Sequence, residues 1–139
     1  MPPLRLGISV DYHMFFDRRR VESAVQRARY RVLRQQGAYL RTVAKRSIQR
    51  RKGPSSPGEP PHSHSGLLRG QIFYGYDRAT ESVVVGPRIF SRRDVPGLLE
   101  HGGRHPRTRS RLAARPYMGP ALARSAPKLA EFWKGSVKG

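Results

Sequence analysis

Leu4, Leu6, Ile8 and Val10 alternate with Arg5, Gly7, Ser9 and Asp11, a period of two that predicts a short strand with one buried face. His13 to Phe16 follow as a turn carrying aromatic bulk, and Asp17 is placed to cap what comes next. From Arg18 to about Arg51 the period becomes that of a helix. Val21, Val25, Ala28, Val32, Tyr39 and Val43 recur at steps of three, four or seven, with Leu33, Leu40 and Ala44 on the flank. By Ile48 the stripe has drifted to the other side, and Gly37 is the expected site of a bend.

Gly53 to Ser65 breaks this pattern, because four prolines and two glycines exclude a helix or a central strand. Its length predicts either a disordered loop or an arm ordered by a neighbouring molecule. Strands are then expected near Gln71–Tyr76 and Glu81–Val85, around a turn at Asp77–Thr80. Ile72, Tyr74 and Tyr76 share one face of that hairpin, with Val83 and Val85 to pair with them. Ile89 and Phe90 extend a strand edge, and Arg92-Arg93-Asp94 turns the chain.

Leu98-Leu99-Glu100 reads as a short helical turn or strand stopped by Gly102-Gly103, and residues 104–113 as a basic loop. From Pro120 the chain turns helical, with proline in the first turn; Pro127 divides or kinks that helix. Leu122, Leu129, Phe132 and Trp133 are its expected core face. The order of elements predicts one α+β domain over residues 1–139, with a long N-terminal helix and a C-terminal helix packed on a small antiparallel sheet.

Charge changes this picture more than any other bulk property. The 28 Lys and Arg against 9 Asp and Glu give a net charge of +19, which attracts polyanions and repels other copies of the chain. On the helical wheel Arg20, Arg27, Arg31, Arg34, Arg41, Lys45 and Lys52 gather away from the apolar stripe, with no acid among them. Like charges four apart each cost an isolated helix about 0.2–0.5 kcal/mol. The ridge is therefore either a docking or DNA-facing surface, or a solvated face. No cysteine is present, which excludes disulfides and thiolate chemistry. No apolar run reaches the length of a membrane span, and residues 1–16 lack a signal peptide's apolar centre. The expectation is a soluble protein made in a cytoplasm.

Candidate chemistry is sparse. His62, His64, His101 and His105, with Glu100 beside them, are the only grouping that invites a metal, but two lie in a proline-rich loop and two flank glycines. A zinc site needs its ligands on rigid elements, so neither a metal nor a cofactor is expected. The acids are scattered, and no nucleophile elbow, P-loop or H-E-x-x-H motif occurs. An enzyme is not expected. Gly102-Gly103-Arg104 has the form of an anion-binding nest, a weak signal alone. Tyr30 and Tyr39 lie among the arginines, but the wheel turns Tyr39 into the apolar stripe, so base stacking is not indicated.

Four segments in order carry a resemblance. They are Ser65-Gly66-Leu67-Leu68-Arg69 entering the hairpin, Val83-Val84-Val85-Gly86-Pro87 closing it, Leu98-Leu99-Glu100-His101-Gly102-Gly103, and Ala114-Arg115-Pro116-Tyr117-Met118-Gly119-Pro120-Ala121-Leu122 before the last helix. With the long helix ahead of them, they resemble the tail-completion, or head–tail joining (neck), proteins of long-tailed bacteriophages, over roughly Ile8 to Trp133. The last two segments at this spacing are the specific part. His101 replaces the commoner aromatic, and the 53–65 loop is longer and richer in proline than the family pattern.

The resemblance implies a non-enzymatic virion component made in the host cytoplasm. Copies would form a homo-oligomeric ring, about six- or twelve-fold, between the portal or adaptor side of the head and the tail terminator or tail tube, with DNA passing through. It marks Glu100, His101, Gly102, Gly103, Arg115, Pro116, Tyr117 and Met118 as motif residues. Charge adds the expectation that Arg115 pairs with Glu100. Arg20, Arg27, Arg31, Arg34, Arg41 and Lys45 on the helix, with Arg104, Arg107, Arg109 and Arg111 in the loop, are the candidate partner-facing or DNA-facing surface. Non-specific contact with genomic DNA is allowed, and no membrane partner is expected. The rival reading is a small basic, ribosomal-protein-like module that binds nucleic acid through charge.

Overall fold

A computed structural model describes residues 17–88 and 95–138. The strand expected at Leu4–Val10, the turn at His13–Phe16, the Ile89-Phe90 edge and the Arg92–Asp94 turn lie outside the described residues. Within them the fold is α+β, with a long N-terminal helix, a C-terminal helix and a small antiparallel sheet.

Helix α1 runs Arg18–Ser47, 30 residues rich in strong helix formers and free of proline. Asp17 caps it, its carboxylate accepting the Arg20 amide at 3.1 Å. The helix ends where Ile48 turns extended and donates its amide to the Lys45 carbonyl. Lys45 and Arg46 sit in the last turn, where the helix dipole favours cations.

The buried side of α1 is Ala24, Ala28, Val32, Gly37, Leu40 and Ala44. Val21 and Val25, expected in the core, are 42% and 38% exposed. Ala28, Val32, Leu40 and Ala44 are buried as the stripe and its flank predict, whereas in the first turns the buried position is the small Ala24 rather than the two valines. Gly37 is the extreme case: a Cβ there would lie 2.7 Å from both Tyr74 Cδ2 and Val83 Cγ2. The helix continues through Gly37, whose role is to let the hairpin touch the helix backbone.

That hairpin is β1 (Ile72–Asp77) and β2 (Ser82–Pro87), reached through the short helix α2 (Leu67–Gly70). Its register sets Tyr76 opposite Val83 and Tyr74 opposite Val85, so Ile72, Tyr74 and Tyr76 share the inner face as their alternation predicts. The tip is tied by Asp77, which accepts the Ala79 amide at 2.9 Å and the Thr80 hydroxyl at 2.8 Å. Arg29 pairs with Glu81, holding the tip to α1, and Tyr30 meets Tyr76 edge-on at 5.0 Å between centroids.

Helix α3 (Val95–His101) leads to strands β3 (Gly103–Arg104) and β4 (Arg111–Leu112), and then to α4 (Met118–Glu131). Helix α1 is the common partner, contacting both strands of the hairpin and α4. The α4 helix runs antiparallel along it. Ala121 packs in one cluster with Leu40 and Ala44, Gln36 donates to the Leu129 carbonyl at 2.8 Å, and Arg31 donates to the Ser136 carbonyl. Ala121 and Ser125 are the buried α4 residues, while Leu122 and Trp133, expected to face the core, are 51% and 43% exposed. As on α1, small residues make the close contact. Tyr39 and Phe132 close the far end, 5.8 Å between centroids.

The core itself is Leu40, Ala44, Ile48, Leu68, Ile72, Tyr117 and Ala121, flanked by Val43, Val85, Leu99 and Met118. It draws on all four helices and both strands of the β1–β2 hairpin, which is why distant segments are held in fixed relation.

Candidate assembly surfaces

Helix α4 begins without a local cap. Tyr117 holds the cap position but its side chain does not cap the helix, and no acid lies in the first turn. The exposed amides are satisfied from α3 instead. Glu100 Oε2 accepts from Tyr117 N at 3.0 Å and Met118 N at 3.1 Å, and Oε1 accepts from Gly119 N at 2.8 Å. Three amides on one ionised carboxylate, at the positive end of a helix, is a strongly favourable arrangement. It also explains why α4 starts at Met118, two residues before Pro120. Partial burial of Glu100 opposes its ionisation, but the amides of Tyr117, Gly119 and Met118, aided by His101, outweigh that and hold its carboxyl below the usual range.

The surrounding motif residues are shaped for this contact. A Cβ at Gly119 would lie 3.1 Å from Glu100 Oε1. Gly102 has φ +72°, and a Cβ there would meet Ala114 N and Leu112 O at 3.0 Å. Gly103 has φ +147°, with Leu98 Cδ2 at 3.0 Å from the corresponding point. Tyr117 is fully buried, Pro116 and Met118 are half-buried, and His101 is exposed.

Arg115 does not pair with Glu100. Its amide donates to the Leu99 carbonyl at 2.6 Å, and its Nε donates to the Ser55 carbonyl at 2.9 Å. The sequence expectation failed because it matched opposite charges, whereas three uncapped amides offered the carboxylate a better set of donors. Arg115 instead fastens the proline-rich segment. Gly58 N donates to the Ala114 carbonyl, and Ser63 N to the Gln49 carbonyl, both at 2.9 Å. Residues 53–65, expected as disordered or as an arm for a neighbour, thus dock on their own chain, with Ser55 and Ser63 buried.

Residues 103–112 form a second, miniature hairpin. His105 N donates to the Ser110 carbonyl and Arg109 N to the His105 carbonyl, each at 2.9 Å. The His105 Nδ1 accepts from the amides of Arg107 and Thr108, each at 3.2 Å. These local bonds close the loop on itself and leave Arg104, Arg107, Arg109 and Arg111 exposed. Beneath it lies a cavity of about 200 Å³ lined by Val95, Leu98, Leu99, Pro106 and Leu112, among others.

The helical ridge divides in two. Arg20, Arg27, Arg31 and Arg34 are exposed, with Arg34 lying 5.4 Å from the Tyr30 ring centroid. Arg41 and Lys45 are half-buried. Arg41 Nε donates to the Ile72 carbonyl at 2.7 Å, so this arginine ties α1 to β1. Desolvation, then Arg41 and Arg69, lower the Lys45 pKa. Among the described residues no three His, Asp or Glu side chains gather as a metal site requires, and no helix is long and apolar enough to cross a membrane.

Sequence reasoning placed Glu100 in the motif but missed its role. The available signal was the stretch Arg115-Pro116-Tyr117, which supplies no Ser, Thr, Asp or Asn to cap the next helix. No protein-family model, curated protein or solved structure matches the chain.

Proposed function

We propose that this chain is a structural virion protein of the neck of a long-tailed bacteriophage. Copies form a ring that joins the DNA-filled head to the tail and lets DNA pass. It works without cofactor or catalysis, between the portal or adaptor and the tail terminator or tail tube. The observation that carries this reading is the bond set of Glu100. The two segments most specific to the resemblance, Leu98–Gly103 and Ala114–Leu122, are joined by one carboxylate on three amides. They act as one structural unit, as a shared motif pair should.

Two features fit a connector. The arginine hairpin presents Arg104, Arg107, Arg109 and Arg111 to solvent, and the exposed half of the α1 ridge offers cations with no acid among them. Both would be neutralised by acidic neighbours or DNA, which offsets the self-repulsion of a +19 chain. Electron microscopy of the purified protein, and of virions carrying labelled copies, tests the proposal. Rings, and label at the head–tail junction, are the expected result. A persistent monomer that binds nucleic acid tightly, with a steep loss on adding salt, would replace it with the rival basic-module reading.

A further inference from the structure

A polar cavity of about 600 Å³ lies between the end of α1, the proline-rich segment and α4. Its lining residues include Arg46, Arg51 and Arg124, all exposed, with Ser55, His62 and a single acid, Glu59. Among the described residues none of the three arginines has an ion-pair partner. Three cations, two from the end of α1 and its exit and one from α4, facing one acid, leave an uncompensated positive site.

Two buried atoms point to a ligand independently. Ser55 is 5% exposed, and its Oγ has no hydrogen-bond partner. The His62 Nδ1 is likewise buried and unpartnered. Buried polar atoms in folded proteins are almost always satisfied; both orphans belong to residues that line this cavity, so a group entering it is the partner within reach of a side-chain rotation. The wall is also prebuilt. The Gln49–His62 bridge, the Ser63 amide on the Gln49 carbonyl and the Arg115 Nε on the Ser55 carbonyl hold the segment in place.

We propose that this cavity binds a phosphate group, held by Arg46, Arg51 and Arg124 with the Ser55 hydroxyl and His62 completing its donor set. A carboxylate has two oxygens and would leave most of these donors unused. A phosphate, with more terminal oxygens and up to two charges, matches three forked guanidiniums. The group is either a free phosphate or a backbone phosphate of nucleic acid. The inference stands apart from the neck assignment, since it uses none of the motif or ridge residues as ligands.

The test is calorimetric titration of the whole chain with inorganic phosphate at constant ionic strength, set by chloride. Saturable one-to-one binding is expected. Arg51→Gln with Arg124→Gln should weaken it at least about ten-fold, and Ser55→Ala, which changes no charge, about five-fold. Arg104→Gln with Arg107→Gln, in the remote hairpin, should leave it within about two-fold. Circular dichroism confirms that each variant folds, and Arg124→Gln alone, on the exposed side of α4, serves if the pair does not. Absence of saturation, or equal weakening by the hairpin pair, overturns the proposal, because binding would then follow bulk charge. A second titration with a single-stranded oligonucleotide separates the sources. Competition by phosphate, and loss in the Arg51/Arg124 variant, assign the site to a nucleic-acid backbone. Oligonucleotide binding unaffected by that variant assigns it to a free phosphate.

Discussion

Glu100 Oε1 accepts the amide of Gly119 at 2.8 Å across 19 residues of sequence. With the Tyr117 and Met118 amides on its other oxygen, this carboxylate stands in for the cap that α4 lacks. Removing it leaves three helix-end amides without their acceptor. Glu100→Ala should destabilise the fold by about 2 kcal/mol, read as a lower urea midpoint at unchanged slope. Glu100→Gln keeps the shape but only one acceptor oxygen and no charge, so it should fall between Ala and wild type. A change below about 0.5 kcal/mol for Ala would show that the cap contributes little.

The same contact predicts a pH dependence. Burial raises the Glu100 pKa, the three amides and His101 together lower it by more, and the net folded value lies below the ordinary 4.5. The unfolded chain therefore takes up the proton first as pH falls. The stabilisation is complete above about 4.5, and is lost progressively below it until the folded carboxyl is itself protonated. Asp77 is depressed in the same direction, chiefly by the Thr80 hydroxyl, and adds to the acid slope. In Glu100→Gln only the Glu100 part disappears. Its melting temperature should fall less steeply than wild type below pH 4.5, and parallel curves would contradict this.

Gly37 sets a test of close approach. Replacing a mid-helix glycine by alanine normally stabilises by roughly 1 kcal/mol. Here the added methyl would sit 2.7 Å from Tyr74 and Val83. Overpacking of that kind costs about 1–3 kcal/mol, so Gly37→Ala should come out neutral to destabilising, and Gly37→Val clearly destabilising. Chemical denaturation decides it; a stabilised Gly37→Ala would mean the hairpin can retreat.

The arginine hairpin should separate folding from assembly. Its own backbone bonds close it, and Arg104, Arg107, Arg109 and Arg111 are exposed. Changing all four to glutamine should move stability by less than about 0.5 kcal/mol. Under the neck proposal the variant should remain a folded monomer that fails to complete particles in a complementation assay. A variant that completes particles normally removes the hairpin from the assembly surface.

Local pattern determined a good part of this protein. The Asp17 cap, the long helix, the alternation of Ile72, Tyr74 and Tyr76, and the Asp77 turn depend on neighbours a few residues apart, where periodicity and turn chemistry operate. What local pattern misjudged is consistent in kind. Val21, Val25, Leu122 and Trp133 fall on the apolar faces by periodicity, yet the helices are buried there at Ala24, Ala121 and Ser125, beside the expected Ala28. Which side of a helix is buried depends on the element that arrives there, and no single-helix pattern contains that.

Only the tertiary structure decided the fate of the charges and the loop. Arg115 and Glu100 look like a pair by sign, but the fold brings Glu100 to amides and Arg115 to a carbonyl sixty residues away. The proline-rich segment reads as unattached because its composition forbids regular structure, and it is tied down by main-chain bonds that composition cannot express. The arginines of the phosphate cavity are scattered from Arg46 to Arg124, with nothing in their spacing to join them. Sequence records what each residue prefers near its neighbours; long-range donors and acceptors acquire partners only once the core has brought their segments together.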